Sequence, residues 1–319
     1  QRLIYWLDLL LSTRKQQTND DAAQCKRHAV DKGYWKDPYL PLICPKGQPK
    51  LPEISIGYYA RVKGMRTLLE KFLNMTSCAC QVVNLGAGFD TTYWNLKDQR
   101  LAPRNFVEVD YSGITSKKVS FIKRWKPLLE KITSDDGEIQ VSSTELHSQD
   151  YHLVAADLTQ LSELEKRLKD SGIDKSIPTV FIAECVLVYI EPKKSEELLK
   201  WIVDNFSTAF FINYEQVNMI DRFGDIMLEN LRARQCTLHV EACKNLESQI
   251  KRYISQGWEG ADAMEMTHVY SCLPKDDIHR VERIEFLDEK ELLDQLFHHY
   301  CISWAYKDPN KMGLSQISF

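Results

Sequence analysis

Apolar positions in this chain fall into two rhythms: short unbroken runs, and longer stretches with one apolar residue every three or four. The runs Val82-Val83-Asn84-Leu85, Phe106-Val107-Glu108-Val109, Tyr151 to Ala156, Thr179 to Tyr189 and Phe210-Phe211-Ile212 are rich in β-branched and aromatic residues, and predict buried strands. Between them lie helical spacings. Tyr58, Val62, Met65, Leu69 and Phe72 step along one face of a helix over 56–74. Leu161, Leu164 and Leu168 mark a second helix, stopped by Gly172, and Leu198, Leu199, Ile202 and Phe206 a third, opened by Glu191-Pro192. Strand and helix in alternation predict an α/β fold with a doubly wound, mostly parallel sheet.

Elsewhere the rhythm breaks. Residues 111–150 are polar and charged and read as an insertion or long connection. After Val217 the chain turns helical and charged, so residues 218–256 are expected to form a helical lid inserted between sheet strands. Residues 257–319 return to the sheet, with a helix through 285–299 and a last strand, Tyr300 to Ala305, expected as an antiparallel edge strand. The globular domain is therefore placed at 25–319. Residues 1–24, an apolar run followed by STRKQQTNDDAAQ, read as a disordered or artificial N-terminal segment.

The candidate chemistry sits where strands end. The first strand runs into Gly86-Ala87-Gly88, a turn whose missing side chains let backbone lie against a ligand, and Asp90, Thr91 and Thr92 are set to open a helix behind it. A dinucleotide fingerprint needs a third glycine where Thr91 stands, and a P-loop needs Gly-Lys-Ser/Thr, which is absent. A glycine turn without phosphate-gripping features suits an unphosphorylated nucleoside, with S-adenosylmethionine the leading candidate. The second strand ends in Asp110, close to the roughly 20-residue step at which such folds place a ribose-binding acid. The third ends in Asp157-Leu158, an acid for the adenine amino group or a helix cap, beside an apolar contact for the ring. Glu184 is the anomaly of the fourth run. A carboxylate amid that much hydrocarbon is costly unless partnered, so it is expected at the strand end, facing the crevice. Arg61 could grip a carboxylate or form a surface ion pair; Lys26 could neutralise an anionic ligand or be a solvated charge.

Composition narrows the partners. A formal net charge of −4 argues against a nucleic-acid binder, and no apolar run is long enough to span a membrane. Nine cysteines without zinc-type pairing are expected as free thiols of a reducing cytoplasm or nucleus, and no metal site is expected. A monomer is expected.

The segments CKRHAVDKGYWKDPY, GYYARVKG, QVVNLGAGFDTTYW, VEVD, AADL, IAECVLVY, INYEQVNMIDRFGDIMLENL and LESQ, in collinear order, resemble the leucine carboxyl methyltransferase family. That family methylates the C-terminal leucine of the protein phosphatase 2A catalytic subunit. The resemblance implies a Rossmann-like methyltransferase fold whose lid engages the phosphatase, and a methyl ester that regulates assembly of the phosphatase holoenzyme. Carried over by position, S-adenosylmethionine contacts fall on Lys26, Arg61, Gly86, Asp110, Asp157, Leu158 and Glu184. Tyr189 and Tyr214 are proposed to line the leucine pocket. No residue is required as a general base, because a C-terminal carboxyl with a pKa of about 3.5 is already ionised at neutral pH. Rival readings are the paralogous carboxyl methyltransferase of tRNA wybutosine synthesis, an inactive phosphatase-binding relative, and a nicotinamide dehydrogenase, which Thr91 disfavours.

Overall fold

A computed structural model of the chain describes residues 18–133, 138–233, 236–288 and 290–319. Among these described residues nine strands form one sheet: β1 (Gln81–Leu85), β2 (Asn105–Asp110), β3 (Gln140–Val141), β4 (Leu146–His147), β5 (Tyr151–Ala155), β6 (Thr179–Glu184), β7 (Ala209–Gln216), β8 (Gly260–Glu265) and β9 (Tyr300–Lys307), in the spatial order β3-β4-β5-β2-β1-β6-β7-β9-β8. The central five, β5-β2-β1-β6-β7, are parallel. β9 runs antiparallel to both β7 and β8, so it lies one place in from the edge and the last strand of the chain is wedged between two earlier ones. The expected antiparallel closure is present, with β8 as the edge itself.

Alternation along each strand sorts the core into two layers. Val82, Phe106, Val180, Phe210 and Ile302 point to one face, and Val83, Val107, Phe181, Phe211 and Ala305 to the other. Both faces are covered, which is why the parallel strands read as continuous apolar runs rather than alternating ones. The Pro52–Met75 helix crosses the first face, where Phe72 stacks on Phe210 at 5.7 Å between ring centroids. Pro52 opens this helix, where its missing N–H costs nothing. Its buried stripe is Ile56, Tyr59, Ala60, Met65, Leu68, Leu69, Phe72 and Leu73; Tyr58 and Val62, expected on that stripe, are only half-buried beside it. Leu161–Asp170, Pro192–Asn205 and Leu246–Ile254 contribute Leu164, Leu198 and Tyr253 to the second layer.

Three expectations change. Residues 111–150 are not a long connection: they hold the helices Ser112–Arg124 and Lys126–Ile132 and the small strands β3 and β4. The apolar face of Ser112–Arg124 includes Lys118, which is fully buried, and a charged residue at a core position hides the period. β6 stops at Glu184, because Cys185 adopts a left-handed φ of 58° and Leu187–Tyr189 form a 3₁₀ turn. Of the N-terminal segment 1–24, residues 1–17 lie outside the described residues, whereas 18–24 belong to a helix that runs to residue 32.

The strand order reverses between β1 and β6, the place where open α/β sheets form a crevice at the carboxyl ends of their strands. Phe210 lies on β7, next to β6, and is fully buried, so Phe210→Ala should lower unfolding free energy by about 3–5 kcal/mol. Urea denaturation checks it; a loss below about 1 kcal/mol would show that the two-layer core is not as described.

Candidate functional site

The chain leaves β1 through Gly86 and Gly88, both with left-handed φ, at 65° and 54°. At these two positions glycine is required twice over. A Cβ on Gly86 would lie 2.5 Å from Val186 Cγ2, and one on Gly88 would lie 2.2 Å from Asn19 Oδ1. The turn is pinned from several directions. Gly86 N–H donates to Val109 O at 2.8 Å, Gly88 N–H to Asp110 Oδ2 at 2.7 Å, and Phe89 N–H to Asn19 Oδ1 at 3.0 Å. Asp90 then accepts from Thr92 N–H at 2.7 Å and starts the Thr92–Asp98 helix.

A cavity of about 690 Å³ opens beside this turn, at the sheet's reversal point. Of the residues expected at the site, Lys26, Arg61, Gly86, Asp110, Leu158, Glu184, Tyr189 and Tyr214 all line it, although they come from seven separate stretches of chain. Asp157 does not. Its Oδ1 turns to Thr159, accepting from the N–H at 2.9 Å and the hydroxyl at 2.8 Å, which closes a tight turn; the next helix has Gln160 at its N-cap and no side-chain cap, so the helix-capping alternative does not hold either. Asp110 holds the turn through Gly88 and also accepts from Tyr111 N–H at 2.7 Å.

At the other end of the cavity stands the Glu184 carboxylate. Its Oε1 accepts from Lys26 Nζ at 2.8 Å and from Arg61 Nε, which joins the N-terminal helix and the Pro52–Met75 helix to the tip of β6. All three side chains are largely buried, at 17% exposure for Glu184, 18% for Lys26 and 11% for Arg61. Burial alone would raise the Glu184 carboxyl, but Arg61 and Lys26 beside it outweigh that and hold it down to about 2. Two cations against one carboxylate leave one net positive charge at this end, matched to a single ligand carboxylate. Arg61 also lies over the rings of Tyr214, at 4.6 Å, and Tyr58, at 5.1 Å. Behind the same wall a second hollow of about 460 Å³ shares Lys26, Asn84, Phe89, Asp90 and Glu184 with the first.

Some of these residues carried no signal in the sequence. Asn19 lies in a stretch read as unstructured, and its role depends on a contact 70 residues away. Cys185 is held left-handed, its N–H donating to Tyr214 O at 2.8 Å, and this turn sends Val186 against Gly86. Bound positive φ at a non-glycine residue is strain that the surrounding structure must maintain. Gln216 and Tyr300 enter the wall from adjoining strands, and Tyr300 stacks on Tyr214 at 5.1 Å with ring planes 12° apart. The Arg222–Ala233 helix supplies Phe223, Ile226, Met227 and Asn230 to the cavity. Leu246–Ile254, the other helix of the expected lid segment, instead packs on the sheet, with Tyr253 fully buried.

The site fits a nucleoside that carries an amino acid. A carboxylate at the end of β2 suits a ribose diol, Leu158 offers an apolar contact for a base, and the net positive end suits a carboxylate. The cradle beneath is bare backbone.

Comparison with known proteins agrees. A family model described as "Leucine carboxyl methyltransferase" matches residues 15–203. Leucine carboxyl methyltransferase 1 of Bos taurus is 50% identical over 307 residues, covering 95% of this chain and 92% of the bovine protein. The tRNA wybutosine-synthesizing protein 4 of Homo sapiens is more distant, 34% identical over 295 residues that cover 90% of this chain but 43% of the human protein. Among solved structures, a DUF574-family protein of Streptomyces avermitilis superimposes with a TM-score of 0.54 at 12% identity, over 84% of this chain and 95% of that one. This last likeness concerns the fold alone.

The depressed Glu184 carboxyl carries a pH signature. Its folded value, about 2, lies below the ordinary 4.5, so its contribution to stability is present above pH 4.5 and is lost as pH falls toward 2. Glu184→Gln should cost about 3 kcal/mol at neutral pH by leaving Arg61 and Lys26 unpaired. The difference in stability between wild type and this variant should shrink across that acid window. Equal denaturation midpoints at pH 7 would contradict the pairing.

Proposed function

We propose, since this chain belongs to the leucine carboxyl methyltransferase family, that it forms a methyl ester on the C-terminal leucine of the protein phosphatase 2A catalytic subunit. The enzyme is an S-adenosylmethionine-dependent methyltransferase; the phosphatase substrate and the residue roles are the proposal. The observation that carries it is the cavity of about 690 Å³ at the sheet's reversal point, which has a glycine cradle and an acid at one end and a net positive charge at the other.

When bound, S-adenosylmethionine supplies a methyl group made electrophilic by its sulfonium. Asp110 would accept from the ribose hydroxyls while Leu158 packs against adenine. Asp157, beside Leu158 but outside the cavity wall, would reach the base only from the rim. Arg61 and Lys26 would face the methionyl carboxylate, and Glu184 would keep both cations aimed and offer an acceptor to the neighbouring ammonium. The rest of the cavity, walled by Tyr189, Tyr214, Phe223 and Met227, would take the leucine side chain and its carboxylate.

That carboxylate needs no base, because it is ionised throughout the physiological range. The chain's own contribution is then alignment of nucleophile with methyl group and removal of water from around the carboxylate. Strong anionic stabilisation near the sulfonium would be counterproductive, since its charge disappears during transfer. Glu184 avoids this by being neutralised twice over. The lid role narrows to the Arg222–Ala233 helix, where Ile226 faces the cavity yet is 50% exposed, and Ile220 just before the helix is 84% exposed. Apolar surface at the mouth of a substrate cavity suits a protein tail. Esterification removes the negative charge at the phosphatase C-terminus, which is the proposed signal for holoenzyme assembly, and the proposed place of action is the cytoplasm.

The test uses tritium-labelled methyl donor with phosphatase holding, or lacking, its last leucine. Label should be incorporated only into the full-length phosphatase and should be released by mild base, as an ester is. Gly86→Val should lower incorporation at least tenfold at limiting donor. Label that resists base, or that persists without the leucine, would overturn the reading.

A further inference from the structure

Beneath the glycine turn lies an ion pair that the proposed chemistry does not use. Glu108 on β2 and Lys118 on the Ser112–Arg124 helix are both fully buried, and they pair with each other. Tyr151 O–H donates to Glu108 Oε2 at 2.8 Å, and Lys118 Nζ lies 5.5 Å over the Trp94 ring. Burial raises the Glu108 carboxyl above the ordinary carboxylate range, against the pull of Lys118. Its Oε1 has no hydrogen-bond partner among the described residues. A buried pair of this kind is weak as a source of stability, because desolvating two charges offsets most of their attraction. Something other than stability should account for it.

The second bond of Lys118 supplies the account. Its Nζ also donates to the backbone carbonyl of Asp90, at 2.6 Å, where the glycine turn passes into its helix. The same turn is held from the β2 side by Asp110, two residues beyond Glu108 and on the same side of the strand. The turn is thus gripped at Gly88 by one carboxylate and at Asp90 by an ammonium whose own place is set by another carboxylate. The other side chain on the turn's backbone, Asn19 at Phe89, comes from the N-terminal helix rather than the sheet. Backbone that must lie against a ligand loses affinity when it has several conformations to choose from, so a fixed turn amounts to preorganisation.

We propose that Lys118 is a positioning residue for S-adenosylmethionine: through the Asp90 carbonyl it fixes the Gly86–Asp90 turn, and Glu108 and Tyr151 fix Lys118. This rests on the reading that the cofactor lies against that turn. Lys118 touches no reactant in this scheme. Its loss should therefore appear in cofactor affinity and in KM for the cofactor, and not in kcat at saturating cofactor.

S-adenosylhomocysteine is the probe, titrated calorimetrically into the whole chain. Glu108→Gln keeps the Lys118 bond to Asp90 but removes the charge that fixes Lys118, and should weaken the probe threefold to tenfold. The double variant Glu108→Gln, Lys118→Met removes the grip without stranding a charge. It should bind at least tenfold more weakly, with KM for the cofactor raised and kcat within twofold. Where that double variant does not fold, Tyr151→Phe is the milder cut in the same network and should weaken the probe twofold to fivefold. A folded double variant with wild-type affinity, or an unchanged Tyr151→Phe where the double fails, would overturn the inference while leaving the cofactor reading intact. Wild-type protein that does not bind the probe, or Gly86→Val protein that binds it undiminished, would overturn that reading and the inference with it.

Discussion

The Glu184 carboxylate ties together three segments that the chain keeps far apart. Lys26 arrives from the N-terminal helix, Arg61 from the helix across the sheet's first face, and Glu184 itself from the tip of β6. Remove the carboxylate and two cations are left facing each other in a largely apolar cleft; remove a cation and the carboxylate loses part of what offsets its burial. Each partner makes the other two tolerable. The arrangement also sets the electrostatics of the cavity, since the triad carries one net positive charge and holds it at a fixed place. Cys185, next in sequence, is bent into a left-handed turn that returns Val186 to the glycine cradle. The charged end and the bare-backbone end of the site are therefore joined through two consecutive residues of one strand exit.

Sheet topology explains why these ends meet. β1 and β6 are neighbours in space but are separated in sequence by the whole β2–β5 half of the sheet, so their exits diverge and leave a crevice. Two of the strands at this crevice end on an acid that follows an apolar residue. Asp110 closes β2 and Glu184 closes β6, each after a fully buried run. This change from apolar to acidic within one residue was plain in the sequence and marked both acids; the Gly86-Ala87-Gly88 turn and the doubly wound sheet were legible from the glycines themselves and from the alternation of strand and helix patterns. The resemblance to leucine carboxyl methyltransferases added Lys26 and Arg61, whose own surroundings in the sequence did not distinguish a ligand contact from a surface charge.

What stayed hidden has common physical causes. Periodicity reports a helix only when its buried face is apolar, and Lys118 at the centre of such a face made Ser112–Arg124 resemble a polar connection. Backbone handedness at Cys185 is imposed by neighbours, notably the Tyr214 carbonyl, and no residue type at that position announces it. Asn19 acts across 70 residues, on a backbone amide that carries no sequence identity. Asp157 shows the opposite failure: an acid after a strand also has a local use in closing a turn, and here its Oδ1 serves that use with Thr159. The sequence thus exposed what depends on local pattern, and concealed what depends on charge burial and distant backbone contacts.

All of this converges on one location for the cofactor, and a crystal structure of the chain with S-adenosylhomocysteine tests that location most directly. The account predicts the ribose hydroxyls within about 3 Å of the Asp110 carboxylate, the base against Leu158, and the amino-acid carboxylate turned toward Arg61 and Lys26, with Glu184 still paired. Density for the nucleoside in the hollow behind the Glu184 wall, or with its ribose remote from Asp110, would contradict it.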